Sequence, residues 1–298
     1  MSDHEQLPHY LPSKQLEQIL QGALQEDVGT GDITSQILVP EHQQGRATLL
    51  TRESGVIAGL AAARRVFHLV DPAIQCNWTV NDGDHVPADS IIGVVAGAMR
   101  SILTAERLAL NLLQRMSGIA TATAKMVASV KDYPVRVRDT RKTAPGLRLL
   151  DKWSVLLGGG TNHRIGLFDR ILIKDNHIEV VGGLAESVQR AANQLPGYLI
   201  DVEARTMAEV TEALSVASMI DVLLLDNMTT TRPDGSYDCS RLKQAIDCIA
   251  GRITTEATGG ITLESAPFIA ATGVNYLSCG ALTHSSHATD ISLSVDPL

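Results

Sequence analysis

The first third of the chain alternates between helical and strand-like apolar patterns. Apolar residues three and four apart after Ser13 predict an amphipathic helix with Ser13 as its N-cap. Residues 46–97 contain short apolar runs that predict strands, with an alanine-rich helix over residues 60–70 and a hairpin signal at residues 81–84. A further helix is predicted over residues 101–131, broken near Gly118.

From residue 132 onward, short apolar strands alternate with amphipathic helices. Predicted strands cover residues 135–138, 170–174, 198–203, 221–226, 252–257 and 275–279. Predicted helices over residues 184–194, 207–217, 240–250 and 263–271 separate the later strands. This alternation predicts an α/β fold with a parallel sheet covered by helices.

Polar residues collect where these strands end, and this favours a barrel over an open sheet. In α/β barrels the ligand site lies at the carboxyl ends of the strands, often with phosphate bound after the last ones. The carboxyl ends of the predicted strands carry Arg138 to Arg141, Lys174 to His177, Glu203, Asp226-Asn227, Thr258-Gly259-Gly260 and Gly280. The glycine turns at the last two ends would let backbone N–H groups approach a phosphate.

Positive charge is concentrated in residues 136–174. This window holds nine Lys and Arg residues against three acids, a local charge of +6, whereas the whole chain has a net charge of -8. One basic cluster in an acidic protein indicates a small anionic ligand and argues against nonspecific nucleic-acid binding. No apolar run is long enough for a membrane span, and no CxxC pair is present, so a cytoplasmic protein is expected.

Two acids, Glu203 and Asp226, lie among these cations. Carboxylates beside a polyanion are explained if a divalent cation lies between them, and Mg²⁺ typically takes one or two protein carboxylates, waters and phosphate oxygens. Phosphoryl or diphosphate chemistry is therefore indicated. The rival enzyme class is an aldolase-like barrel in which Lys174 forms a Schiff base.

Three runs carry a family resemblance: RDTRKTAPGLR, GGGTNHRIGL and ILIKDNHI. They resemble the signature of the quinolinate phosphoribosyltransferases, and the similarity extends from EDVGTGDITS to GALTHS. The resemblance implies an N-terminal α/β sandwich domain, residues 1–117, and an incomplete, about seven-stranded α/β barrel, residues 118–287. It also implies that residues 288–298 return to the first domain.

The same resemblance implies a reaction. Phosphoribosyl diphosphate and quinolinate would give nicotinate mononucleotide, diphosphate and carbon dioxide, with Mg²⁺, in NAD biosynthesis. The positions matching the family's quinolinate contacts are Arg141, His163, Arg164 and Lys174, with Arg107 supplied by the partner subunit of a homodimer. A higher assembly is left open.

The remaining matches concern the phosphates. Thr258, Gly259, Gly260 and Gly280, with His284 in addition, match the 5-phosphate loop, Lys142 would face the diphosphate, and Glu203 and Asp226 match the metal-holding carboxylates. The expected catalytic residues are Lys142, Lys174, Glu203 and Asp226. A phosphoribosyltransferase with another acceptor, or a catalytically silent relative, is the alternative within the same fold.

Overall fold

The structure, a computed structural model, describes residues 7–297. Its α-helices are α1 (Ser13–Val28), α2 (Ile33–Leu38), α3 (Leu60–Val70), α4 (Met99–Ser129), α5 (Arg148–Leu157), α6 (Asp175–Val181), α7 (Leu184–Gln194), α8 (Met207–Ser215), α9 (Ser240–Ile249), α10 (Ala266–Ala270) and α11 (Ala281–His284). Its strands are β1 (Gln44–Thr51), β2 (Gly55–Val56), β3 (Gln75–Trp78), β4 (His85–Val86), β5 (Ser90–Ala98), β6 (Arg136–Arg138), β7 (Ile171–Ile173), β8 (Ile200–Ala204), β9 (Val222–Asp226), β10 (Thr230–Thr231), β11 (Tyr237–Asp238), β12 (Thr254–Thr258), β13 (Tyr276–Ser278) and β14 (Ile291–Pro297).

These elements form two compact units. The first unit takes in the chain up to Ala124, Thr143–Gly159 and the part from Thr283 onward, and the second takes in Lys125–Lys142 and Gly160–Leu282. The predicted boundary between residues 117 and 118 therefore falls inside α4, and Thr143–Gly159 groups with the first unit rather than with the segment that follows it in sequence. The domain boundaries in sequence stay a prediction.

The first unit is built on an antiparallel sheet in the order β14-β1-β5-β3. Side chains of β1 alternate between exposed and buried positions, as expected for a strand with one face on the core. Leu49 of β1 belongs to the core cluster, together with Leu20 of α1, Phe67 of α3 and Leu113 of α4. The C-terminal strand β14 completes the sheet beside β1, which is the return that the resemblance implies.

Two local predictions for the first unit are wrong. Helix α1 has Pro12 rather than Ser13 as its N-cap, because Ser13 already has helical geometry. Helix α4 continues through Gly118 without a break. A side chain at position 118 would lie 3.0 Å from the carbonyl carbon of His287, so the glycine permits close packing of another segment and does not end the helix.

The second unit contains a parallel sheet in the order β6-β13-β12-β9-β8-β7. Strands β8 and β9 are buried throughout, which explains their continuous apolar sequences. An isolated parallel bridge between Arg138 and Thr161 adds a seventh strand position at the β6 edge. The six strands predicted from sequence are confirmed, and so is the incomplete barrel of about seven strands.

Among residues 7–297, no helix is both long enough and apolar enough to span a membrane.

Candidate active site

A cavity of about 590 Å³ opens in the second unit at the carboxyl ends of the parallel strands. Most of its wall is formed by residues that lie at or just beyond those strand ends. The lining residues are Thr140, Arg141, Lys142, His163, Arg164, Leu172, Lys174, Glu203, Arg205, Leu224, Asp226, Asn227, Glu256, Thr258, Gly259, Gly260 and Ser278. The barrel therefore places its most polar residues at the end where such folds bind ligands.

Ten of the predicted site residues are brought together in this cavity: Arg141, Lys142, His163, Arg164, Lys174, Glu203, Asp226, Thr258, Gly259 and Gly260. Three others, Arg107, Gly280 and His284, are not among its lining residues. Gly280 directly precedes α11, and the exposed His284 has its Nδ1 within 2.6 Å of the Ser285 hydroxyl.

Asp139 organises the basic side of the cavity. Its carboxylate is fully buried and accepts hydrogen bonds from Asn162 Nδ2 at 2.6 Å and from the backbone N–H of His163 at 2.8 Å. The Arg164 N–H in turn donates to His163 Nδ1 at 2.7 Å. Since an accepting ring nitrogen carries no proton, this network places the ring proton on Nε2, which lies 3.5 Å from Glu256 Oε1.

Two arginines of the cavity wall form a site that a bound anion would stabilise. Arg141 Nε is buried and has no hydrogen-bond partner within the described residues. Burial lowers the pKa of Arg164, and the nearby positive charge of Arg141 lowers it further. A bound carboxylate would supply the missing acceptor and offset the repulsion between the two guanidinium groups.

The acidic side of the cavity already has its own cations. Lys174 Nζ forms an ion pair with Glu203 Oε1, and Arg205 Nε donates to Asp226 Oδ2 at 3.0 Å. Asn227 Nδ2 donates to the same Asp226 oxygen at 2.9 Å. The hydrogen bond with Asp226 raises the pKa of Arg205. Each of the two predicted metal-binding carboxylates is therefore neutralised by a basic side chain.

A glycine pair after β12 leaves backbone at the cavity wall. Gly259 and Gly260 have φ values of 96° and 59°, in the left-handed region that favours glycine. A Cβ at Gly259 would also lie 2.7 Å from Asn227 Cγ and 3.0 Å from its backbone nitrogen. The turn can therefore pack directly against Asn227 because Gly259 has no side chain.

A buried ionic layer lies on the inward side of the strands. Arg138 donates to Glu256 at 2.7 Å and stacks over Tyr276, while Ser278 also donates to Glu256. Arg170 pairs with Asp201 at 2.5 Å. Burial raises the pKa of both carboxyls, Glu256 and Asp201, against the opposing effect of their arginines.

Sequence reasoning missed three polar residues of this site. Arg205 follows Glu203 by two positions at the end of β8, and Glu256 and Ser278 lie on β12 and β13 facing the cavity. The strand-end rule could have identified Arg205, because it applies to every residue just beyond a parallel strand. Glu256 and Ser278 were hidden inside runs interpreted as apolar strands.

Arg107 lines a separate, smaller cavity of about 300 Å³ in the first unit, with Asp27, Gly31 and Asp32 among its neighbours. Asp32 is the N-cap of α2, and hydrogen bonds from Ser35 lower its pKa. The turn between α1 and α2 therefore lies beside this exposed arginine.

Comparisons with known proteins bear on both units. Residues 32–117 match the family model "Quinolinate phosphoribosyl transferase, N-terminal domain", and residues 119–294 match its C-terminal counterpart. The quinolinate phosphoribosyltransferase [decarboxylating] 1b of Nicotiana tabacum is 46% identical, across 96% of this chain and 83% of its own. The probable nicotinate-nucleotide pyrophosphorylase [carboxylating] of Bacillus subtilis is 41% identical, across 94% and 93%.

Solved structures are also similar to this chain along most of its length. The nicotinate-nucleotide pyrophosphorylase from Francisella tularensis superposes with a TM-score of 0.89 at 37% identity, covering 99% of this chain and 100% of that one. NadC from Streptococcus pyogenes gives 0.88 at 36% identity, covering 97% and 99%.

Proposed function

Because this chain belongs to the quinolinate phosphoribosyltransferase family, we propose that it transfers the phosphoribosyl group of phosphoribosyl diphosphate to quinolinate, with decarboxylation. The products are nicotinate mononucleotide, diphosphate and carbon dioxide, in NAD biosynthesis. The observation that carries the proposal is the cavity itself, in which basic side chains, the carboxylates of Glu203 and Asp226, and a glycine turn meet at one end of a parallel barrel.

The basic wall suits quinolinate, which carries two carboxylates. Arg141 offers a buried Nε without a hydrogen-bond partner among the described residues, and its positive charge lies close enough to lower the pKa of Arg164. Planar guanidinium groups bind carboxylates through paired N–H donors. In this proposal Arg141 and Arg164 bind the acceptor, His163 lines its subsite with a fixed ring tautomer, and Lys174 binds the second carboxylate.

The opposite wall suits the sugar phosphate. Thr258, Gly259 and Gly260 expose a hydroxyl and close backbone, which suit the 5-phosphate, and Lys142 faces the diphosphate. Gly280 and His284 stay as predicted additions to this phosphate subsite. Glu203 and Asp226 accept hydrogen bonds from the ribose hydroxyls and stabilise the positive charge that develops at the anomeric carbon.

The donor set fits Mg²⁺. The described residues contain no group of three or more His, Cys, Asp or Glu side chains arranged to hold a metal. Mg²⁺ does not need one, because it commonly binds through one or two protein carboxylates together with water and substrate phosphates. Glu203 and Asp226 would hold the ion, which when bound supplies charge neutralisation for the leaving diphosphate.

The chemistry then follows from charge. The pyridine nitrogen of quinolinate bonds to the anomeric carbon as the bond to diphosphate breaks. The nitrogen becomes cationic, so the adjacent carboxylate can leave as carbon dioxide. Its bonding electron pair stays on the ring carbon, which then takes up a proton from solvent, so the product carries hydrogen at that position. The Schiff-base alternative is disfavoured, because Lys174 is 43% exposed and paired with Glu203 rather than desolvated.

Product formation tests this proposal. Purified protein is supplied with phosphoribosyl diphosphate and either quinolinate or nicotinate, with and without Mg²⁺. Nicotinate mononucleotide and carbon dioxide are expected only with quinolinate and Mg²⁺. Failure to turn over quinolinate, or equal use of nicotinate, would mean that the cavity binds another acceptor.

We further infer a homodimer in which Arg107 completes the partner's site. Arg107 is exposed and absent from the main cavity wall. Beside it, α2 exposes apolar side chains, with Ile37 79% and Leu38 74% accessible, as expected for a surface that is covered by another subunit. A cytoplasmic location stays a prediction.

Subunit mixing tests this inference. Arg107→Ala and Lys174→Ala should each lower kcat/KM by about 30-fold to 1,000-fold, the effect of losing one charged contact. If Arg107 acts in trans, mixed dimers contain one intact site, so an equilibrated equal mixture should regain about a quarter of the wild-type activity. No recovery on mixing would contradict the trans assignment.

A further inference from the structure

Arg205 is the one basic residue of the cavity for which the proposed reaction gives no substrate contact. It lies two residues beyond Glu203, at the end of β8, and its Nε donates to Asp226 Oδ2 at 3.0 Å. A second N–H of the same guanidinium bonds to Asp175. Arg205 thus bridges a carboxylate of the proposed metal site and an acid outside it.

The backbone of Arg205 is fixed while its side chain is accessible. Its N–H donates to Glu209 Oε2 at 2.6 Å, within the capping box at the N-terminus of α8, and its carbonyl accepts from Arg241. The side chain is 49% exposed, whereas that of Asp226 is only 12% exposed. The guanidinium can therefore move toward solvent, but the carboxylate that it neutralises cannot.

A guanidinium and a divalent cation cannot both occupy Asp226 Oδ2. Asn227 Nδ2 already donates to that oxygen at 2.9 Å, so a second hydrogen bond from Arg205 leaves it little remaining capacity. A metal that binds Oδ2 must displace Arg205, and a metal that binds the other oxygen, Oδ1, is repelled by the adjacent guanidinium, so in both cases the ion pair lowers the apparent metal affinity. Asp175 offers Arg205 a partner after displacement.

We propose that Arg205 is a displaceable counter-ion of Asp226, which neutralises this carboxylate in the metal-free enzyme and weakens divalent-cation binding until substrate arrives. The inference rests on the proposed function, because it takes Asp226 as a metal-binding residue. Arg205 is a positioning residue in this scheme: it acts through Asp226 and contacts no reacting atom. The diphosphate brings further oxygen ligands, and these favour the metal over the guanidinium.

Metal binding tests the proposal without catalysis. Mn²⁺ alone is titrated into the substrate-free protein, and the free ion is measured by electron paramagnetic resonance. Arg205→Gln should lower the Kd for Mn²⁺ by about threefold to tenfold, the scale of one partly exposed ion pair. Arg205→Lys, which keeps a cation beside Asp226, should remain closer to wild type.

Arg232→Gln is the matched control. Arg232 is 51% exposed and pairs with Asp238 at 3.0 Å, so its loss removes the same charge from the same unit without affecting the cavity. Its Kd for Mn²⁺ should equal that of the wild type. In Arg205→Gln/Asp226→Asn the gain in affinity should disappear.

Three results would overturn the proposal. The first is that Arg205→Gln binds Mn²⁺ no more tightly than the wild type, or does not bind it. The second is that Arg232→Gln gains as much affinity for Mn²⁺ as Arg205→Gln, and the third is that the gain persists when Asp226→Asn is added. The two proposals fail separately. If the wild type makes nicotinate mononucleotide but Arg205→Gln binds Mn²⁺ like wild type, only the role of Arg205 is wrong. If no product forms, the proposed function fails whatever the metal data show.

Discussion

Gly259 allows a direct test of how the phosphate-side turn supports the carboxylate beside it. Gly259 and Gly260 both have positive φ, so alanine at either position costs about 1–2 kcal/mol in backbone strain. Only at Gly259 would the new methyl meet another residue, Asn227, with the added Cβ 2.7 Å from Asn227 Cγ. Overpacking of this kind adds about 1–3 kcal/mol.

The expected losses in the free energy of unfolding are therefore about 2–5 kcal/mol for Gly259→Ala and about 1–2 kcal/mol for Gly260→Ala. Urea unfolding followed by far-UV circular dichroism measures both. Because Asn227 donates to Asp226, its displacement should also lower kcat/KM for phosphoribosyl diphosphate by about 10-fold to 100-fold beyond the effect of Gly260→Ala.

A second change separates strain from collision. Asn227 itself has a φ of 54°, so Asn227→Gly removes the side chain that the methyl meets and suits that backbone. Adding Asn227→Gly to Gly259→Ala should recover part of the lost stability, giving a favourable coupling energy in a double-mutant cycle. If Gly259→Ala is no less stable than Gly260→Ala, or if the double variant recovers nothing, the packing argument is refuted.

Two further predictions concern buried carboxylates. Asp151 is fully buried and accepts two hydrogen bonds at 2.8 Å from the partly exposed Arg115, so Asp151→Asn should cost about 2–3 kcal/mol by urea unfolding, and a cost below 1 kcal/mol would contradict this. Burial raises the pKa of Glu256 above 4.5, so its contribution to stability is complete below that pH and is lost as the pH rises through the raised value. The stability of wild type relative to Glu256→Gln should therefore fall above pH 4.5, by up to about 1.4 kcal/mol per pH unit, and a difference that stays flat or rises would show that Arg138 controls the ionisation.

The sequence was most informative where local pattern and tertiary environment agree. Continuous apolar runs identified the buried parallel strands, because both faces of such a sheet are covered. Polar residues just beyond those runs identified most of the cavity wall, because parallel strands present their carboxyl ends at one edge. These two signals identified seven of the ten predicted site residues that line the cavity, whereas Lys142, His163 and Arg164 were implied only by the family resemblance.

What the sequence could not show depends on contacts between distant segments. Gly118 has the local signature of a helix break, and only the position of His287 reveals that it is a packing glycine. Glu256 lies in a run interpreted as an apolar strand, yet it pairs with Arg138 from the other end of the barrel sequence. The ion pair of Arg205 depends on Asp226, which comes from the next strand of the sheet.

The ion pairs of the cavity explain how one site can hold acids among cations before any ligand binds. Glu203 and Asp226 each have a basic partner, so neither is left as an uncompensated, nearly buried charge. Arg141 differs, because its buried Nε has no hydrogen-bond partner within the described residues. Since an unsatisfied donor already bears its desolvation cost, an incoming carboxylate gains most there. The cavity is thus organised to attract an acidic acceptor at Arg141, while Lys174 and Arg205 neutralise its own acids before a ligand binds.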